Sequence, residues 1–351
     1  MAVTARPVHE DTVPEPTAGR RLLDKVFKVR ELAVAGVLVV MLLATELSNT
    51  EFLSEQGVKD LLLNATILAL VATGQAVVVI TRNVDLSVGS VLGISAFAAG
   101  NYLQGGGSSV LAVLYAVAVG AVFGVLNGAL VSLGKVPALV VTLGTLYVVR
   151  GIDSIWVGSD QIVAADLPDG FVDFGHDGLW VVPYLALLAV AVLLCVGYYL
   201  RSYRSGRDMY ALGSSPEAAN LAGVPVRKRI MTAYVLCGAL AGLAGALYLA
   251  RFGNVDSATG NGYELTVVSA VVVGGVAFTG GSGTVYGAAL GALLLTSINS
   301  VLPAIGVSSV WVTAINGILL LLAIAVDRIL ALRVAAVLRK QAAQMRSARH
   351  A

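Results

Sequence analysis

Long stretches without a single charge decide what this chain can become. Residues 32–45, 61–80, 86–103, 108–133, 179–200, 230–250 and 307–326 contain no Asp, Glu, Lys or Arg. Residues 265–302 are also uncharged, broken only by Gly280-Gly281-Ser282-Gly283. About 20 apolar residues cross the hydrocarbon core of a bilayer as a helix, so most of these blocks can span and the longest can hold a helical pair. Composition agrees: 57% of the 351 residues are hydrophobic and 13% charged, against about 25% charged in soluble domains. Too few charges remain to cover an ordinary water-facing surface, which excludes a soluble globular protein. In lipid each crossing segment has to satisfy its own backbone hydrogen bonds, so helices are the expected state. The predicted fold class is therefore an all-α polytopic membrane protein of about ten transmembrane helices. They fall near 31–48, 59–80, 86–103, 109–133, 137–157, 179–200, 230–251, 264–279, 284–302 and 308–327.

Charge distribution sets the orientation. With an even number of crossings and a cytoplasmic N-terminus, only Lys59, Arg150 and Arg251 of the 23 Lys and Arg fall outside. Asp160, Asp166, Asp169, Asp173 and Asp177 gather in one outer loop. That is the positive-inside asymmetry, and it predicts both termini in the cytoplasm. The fifth span is the weakest, because residues 136–149 run into Arg150 and Asp153, a pattern that suits a short, tilted or partly re-entrant segment. Residues 1–30 read as a disordered cytoplasmic tail with Pro7, Pro14 and Pro16 and a late basic run from Arg20. The lateness of that run, with Glu46-Leu47-Ser48-Asn49 after the first apolar block, favours a retained span over a cleaved signal peptide. Residues 31–327 form the membrane domain, and 328–351 a basic cytoplasmic tail that is either solvated or laid on anionic lipid.

Two places look like broken helices. One is the polar stretch 80–90 around Arg82, Asn83, Asp85 and Ser87; the other is Gly274-Gly275 followed by the Gly-rich 280–283. Aligned without gaps, residues 76–93 and 270–287 match at seven of eighteen positions. Paired Gly-interrupted segments point to a pathway between repeats, although tight inter-helix turns give the same pattern. Gly238-x3-Gly242 and Gly287-x3-Gly291 suit close approach of helix backbones. Cys195 and Cys237 lie in separate apolar blocks without metal or redox spacing and read as small apolar fillers.

The longest inner loop, 201–229, holds Gly213, Ser214, Pro216, Glu217, Ala218, Leu221 and Gly223. Ser214 and Glu217 have capping-box spacing, Pro216 suits a first helical turn and Gly223 a helix stop, so the loop is predicted to carry a short helix with Ser214 as N-cap. Such a helix is either an ordinary surface element or a handle for a soluble motor.

From Thr81-Arg82-Asn83-Val84-Asp85-Leu86-Ser87-Val88-Gly89-Ser90, through 210–223, Gly262-Tyr263-Glu264-Leu265 and Val273-Gly274-Gly275, to Asn316-Gly317, the chain closely resembles the ribose-type permeases of ABC importers. The likeness covers roughly residues 60–327 in order, and residues 135–145 look most like the autoinducer-2 and rhamnose branches. The resemblance implies two paired permease subunits, identical or paralogous, in a bacterial cytoplasmic membrane. It also implies cytoplasmic ATPases docked on the loop helix, here residues 216–222, and an extracytoplasmic solute-binding protein.

The chain itself lacks a nucleotide site. Gly128 to Gly134-Lys135-Val136 has one residue too many for a phosphate loop and no Ser or Thr after the lysine, so ATP and its magnesium are expected on a partner. His9, His176 and His350 are too scattered for a zinc site or a triad, so neither a cofactor nor enzymatic chemistry is expected. Candidate pathway residues are Gln75, Asn83, Asp85, Ser87, Asn127, Glu264, Asn299 and Asn316. Ionisable groups at membrane depth are functional candidates, and uncharged polar groups suit a hydroxylated solute. Each of these residues equally suits a helix cap or an inter-helix hydrogen bond. An ion-coupled secondary transporter is the alternative, with Asp85 and the 83–87 break as its candidate site.

Overall fold

The structure, a computed structural model, describes residues 18–332 apart from Ser159, Ser309, Asp327 and residues 330–331. The helices follow the apolar blocks: α1 (Ala18–Ser48), α2 (Glu55–Ile80), α3 (Val88–Gln104), α4 (Ser109–Ser132) and α5 (Ala138–Val157). A loop with the short helix α6 (Asp169–His176) and the hairpin β1 (Gly178–Leu179) and β2 (Val182–Pro183) leads to α7 (Tyr184–Ser202). Then come α8 (Arg204–Ser214), α9 (Pro216–Leu221), α10 (Val226–Phe252), α11 (Tyr263–Val273), α12 (Val285–Ala304) and α13 (Val310–Val326). Six of them, α2, α4, α5, α7, α10 and α12, are long and apolar enough to cross a membrane. This is a polytopic all-α membrane architecture.

Several predicted boundaries move, each for a local reason. Helix α1 begins at Ala18, so residues 18–30, assigned above to the tail, are helical; no Gly or Pro interrupts them after Gly19. The rest of the N-terminal tail and residues 333–351 of the C-terminal one lie outside the described residues. The predicted 179–200 segment starts at Tyr184, because residues 178–183 form the hairpin and Pro183 caps the helix. Helix α5 is continuous through Arg150 and Asp153 to Val157, longer than the charge-free run suggested. Helix α11 ends at Val273, where Gly274-Gly275 stops it, six residues short of the predicted 279.

Helix α2 is apolar on every side and is the best buried of these six, at 89% of its apolar window, as expected for a helix without a polar face. It packs against α10 and α12, and α3 fills the space between α10 and α5. Helices α4, α5 and α7 stand outside and expose apolar rows such as Val110, Leu114, Val140, Val148, Leu187 and Leu194. Apolar surface on this scale needs a lipid solvent. The tightest seam joins α4 and α10. Gly120, Gly124 and Ala116 meet Gly238 and Gly242, and a side chain on any of these glycines would enter the facing backbone. Gly287 and Gly291 of α12 meet Gly274 and Ala270 in the same way. Both predicted small-residue motifs therefore lie at helix contacts.

Candidate functional site

Both predicted helix breaks are present. Residues 81–87 separate α2 from α3, and 274–284 separate α11 from α12. Arg82 holds a left-handed backbone (φ 66°), an uncommon state for a residue with a Cβ.

The first break is tied down by polar side chains from four helices or their ends. The Asp85 Oδ1 accepts from Ser87 N (2.9 Å) and Ser87 Oγ (2.6 Å), an Asx-type turn that leads into α3. Asn127 of α4 donates to Ser87 Oγ (2.9 Å) and at longer range to Asp85 Oδ1 (3.5 Å). Thr145 of α5 donates to Asn127 Oδ1 (2.6 Å). With its amide nitrogen toward the Asp85 carbonyl, Gln75 of α2 both donates to Asp85 O (3.1 Å) and accepts from Asp85 N (3.2 Å). Tyr234 of α10 donates to Val84 O (3.0 Å). Gln75, Asp85, Ser87 and Asn127 are all buried. A chain that leaves the helix inside a membrane exposes backbone groups that cost several kcal/mol each if unpaired, on the order of ~4–8 kcal/mol in a solvent without hydrogen bonds. This network pairs Val84 O, Asp85 N, Asp85 O and Ser87 N.

Four of the eight predicted pathway residues thus form one constellation, and the other four lie apart. Asn83 is half-buried, donates to Thr81 O (3.0 Å) and lines a cavity shared with the loop 201–229. Glu264 sits in the first turn of α11 beside Gly89, and its Oε2 is buried without a partner. Asn316 of α13 donates to Asn299 of α12 (3.1 Å). Sequence reasoning missed Thr145 and Tyr234, whose hydroxyls do as much for the break as the amides. It also missed Arg150, which donates to Thr259 O (2.7 Å) and fixes the loop before α11. A Thr in an apolar helix carries no positional signal, because it usually bonds its own backbone.

The loop 201–229 contains two helices where one was expected. Helix α8 buries Met209 and Leu212 against the bundle. Asp208 accepts from Arg229 Nε (3.0 Å) and a terminal Arg229 nitrogen (2.8 Å), pinning α8 to the start of α10. Tyr210 donates to Gly283 O (3.1 Å); burial, and next the Tyr286 phenol, push its pKa up to about 12, so it remains a donor at neutral pH. Because the Asp208 and Arg229 side chains are 13% and 19% exposed, a double-mutant cycle with Asp208→Ala and Arg229→Ala is expected to give a coupling of about 1 kcal/mol in thermal denaturation. Strictly additive losses would show that the pair does not hold α8.

The N-cap of α9 is Ser215, whose Oγ accepts from Ala218 N (3.4 Å), and Ser214 instead closes α8. The predicted Ser214–Glu217 capping box is therefore absent. The cause is Pro216, whose ring drives the preceding residue into extended backbone, the conformation an N-cap requires; Ser215 sits at φ −154°, ψ 99°. Pro216 occupies the first turn as expected, and Gly223 follows the helix end at φ +77°. Glu217, Ala218 and Leu221 point outward, Leu221 with 88% of its surface exposed. A cavity of about 950 Å³ lies between α9, the α4–α5 turn and the first break, lined by Asn83, Lys135, Glu217, Asn220 and Lys228 among others.

An apolar bundle with six helices long enough to cross a membrane is the architecture of a multi-pass membrane protein. The sequence profile of the permease component of branched-chain amino acid transport systems matches residues 57–324. The chain is 37% identical over 296 residues to the autoinducer 2 import system permease protein LsrC of Enterobacter sp. (strain 638), covering 84% of each chain. It is 32% identical over 315 residues to the ribose import permease protein RbsC of Escherichia coli (strain K12), covering 89% of this chain and 98% of the relative. No solved structure matches. The chain belongs to this permease family, within its ribose and autoinducer-2 type, and is a transport subunit and not an enzyme.

Proposed function

We propose that this chain is the membrane-spanning subunit of an ATP-binding-cassette importer for a monosaccharide or similar small hydroxylated solute of the rhamnose, ribose or autoinducer-2 class. The import relatives named for ribose and autoinducer 2 support the solute class. The observation that carries the motor assignment is the outward face of α9, Glu217, Ala218 and Leu221, on a loop whose neighbouring helix is fastened to the bundle. An exposed leucine on a short capped helix is a docking element for a protein, here a cytoplasmic ATPase that binds ATP and magnesium. Ser214, Pro216 and Gly223 shape that element, while Gly213 is buried and faces the bundle, away from the docking face.

The full assembly contains two permease chains, identical or paralogous, two ATPases and an extracytoplasmic binding protein, in a bacterial cytoplasmic membrane. Ten crossings with both termini inside fit the charge asymmetry of the sequence. The half-exposed Asn83, Glu264, Asn299 and Asn316 line the solute route, while Gln75, Asp85, Ser87 and Asn127 keep the first break in shape beside it. Neutral amides suit a hydroxylated solute because they exchange hydrogen bonds without a counter-charge.

Glu217→Lys combined with Gly223→Pro is expected to abolish co-purification of the ATPase while membrane insertion stays normal. The proline ring excludes the positive φ of Gly223, and the lysine reverses the charge on the docking face. Normal ATP-coupled uptake by that variant would remove the docking assignment. Uptake in vesicles driven by an ion gradient without ATPase would favour secondary transport instead.

A further inference from the structure

We propose that Gly213, at the C-terminal end of α8, is the positioning residue that delivers a displacement of the coupling loop to both helix breaks at once. This inference rests on the ATPase-docking reading of α9 and identifies how the force leaves that helix.

Ser215 is both the C-cap of α8 and the N-cap of α9, so no slack linker separates the two helices. A push on α9 therefore moves the end of α8. That end abuts a backbone hydrogen bond that joins the two breaks: Gly281 N, in the second, donates to the carbonyl of Ile80, the last residue before the first (2.9 Å). A Cβ on Gly213 would meet both the Ile80 oxygen and the Gly281 nitrogen, so only a glycine lets α8 approach this bond. From the other side, a Cβ on Gly281 would press on the Ser214 backbone, and one on Gly280 on Arg82. Three backbones meet here with no side chain between them, and backbone contact transmits displacement without the give of rotamers.

Two further contacts make α8 a lever and not a cushion. Tyr210 holds Gly283 O of the second break from one turn earlier, and Met209 and Leu212 are buried in the core behind it. Arg207 donates to Ser202 O (2.7 Å) at the start of the helix, which sets a pivot. The eleven residues of α8 make a rod of about 16 Å at 1.5 Å per residue. Tilting it on that pivot moves Ile80 and Gly281 together. One bond thereby ties the start of α3, through the Asp85 turn, to the start of α12, through Thr284.

The test uses the whole transporter, reconstituted with its ATPases and binding protein, and compares wild type with Gly213→Ala and Tyr210→Phe. In Gly213→Ala the ATPases are expected to co-purify at the wild-type ratio and hydrolyse ATP, while solute moved per ATP falls by about tenfold, within the usual range of coupling between sites. Tyr210→Phe removes one hydrogen bond without adding bulk and is expected to lower the same ratio by about threefold. A fold defect would lower ATPase retention instead of the ratio. Retained ATPase with a wild-type transport ratio in both variants overturns the inference alone. If Gly213→Ala fails to insert, an unchanged ratio in Tyr210→Phe overturns it and a lowered one supports it. Failure of the wild-type chain to retain any ATPase would overturn the docking reading and this inference with it.

Discussion

Asp85→Ala is expected to yield a chain that inserts but denatures at least about 4 °C below wild type in detergent, with uptake largely lost. The substitution removes the only acceptor shared by Ser87 N, Ser87 Oγ and Asn127. Buried groups left without partners cost about 1–3 kcal/mol each; at about 2.1 cal/mol/K of unfolding entropy per residue, 1 kcal/mol moves the midpoint of a 351-residue chain by about 1.4 °C, so three orphaned donors give roughly 4–12 °C. The start of α3 loses its turn at the same time, so the damage is local to the break. Asp85→Asn keeps an acceptor oxygen at the same position and should recover most of the lost stability. A midpoint for Asp85→Ala within experimental error of wild type would show that the network does not hold the break.

Gly238→Leu should be more severe, leaving no monodisperse protein after extraction. Gly238 packs against the Gly120 carbonyl and the Gly124 backbone, so there is no flexible side chain to move aside. Overpacking a tight core costs about 1–3 kcal/mol and sometimes more; here α4 would have to leave α10, opening the largest helix contact in the bundle. Gly144→Ala on α5 is the matching control. Nothing lies within 4 Å of the added carbon, and removing a glycine from a helix gains about 0.8–1 kcal/mol of propensity. The isolated chain should therefore be as stable as wild type or slightly more so, by size-exclusion profile and thermal midpoint. Equal tolerance at both glycines would refute close packing as the reason for Gly238.

Helix α8 and the short α6 were not read from the sequence, although both are amphipathic. A reading built on long charge-free runs passes over short helices of mixed polarity, here with Arg204, Arg207 and Asp208 in α8 and Asp169 and Asp173 in α6. The cap at Ser215 was one residue from the predicted one, because spacing alone favoured a Ser–Glu pair over the backbone effect of the proline between them. Gln75, Asp85, Ser87 and Asn127 were picked out individually as polar residues at membrane depth. Their union into one network was not readable, since it brings together residues forty or more positions apart.

Membrane insertion, the helical state, the near-positions of the apolar helices and the locations of the two breaks follow from sequence alone. Each depends on local chemistry: charge-free length, backbone self-satisfaction in lipid, and the stopping power of glycine and polar runs. Which polar groups pair, which glycines face one another, and that the end of α8 meets both breaks depend on how helices distant in sequence settle together. Those contacts are chosen by packing shape, and one-dimensional spacing carries no record of shape.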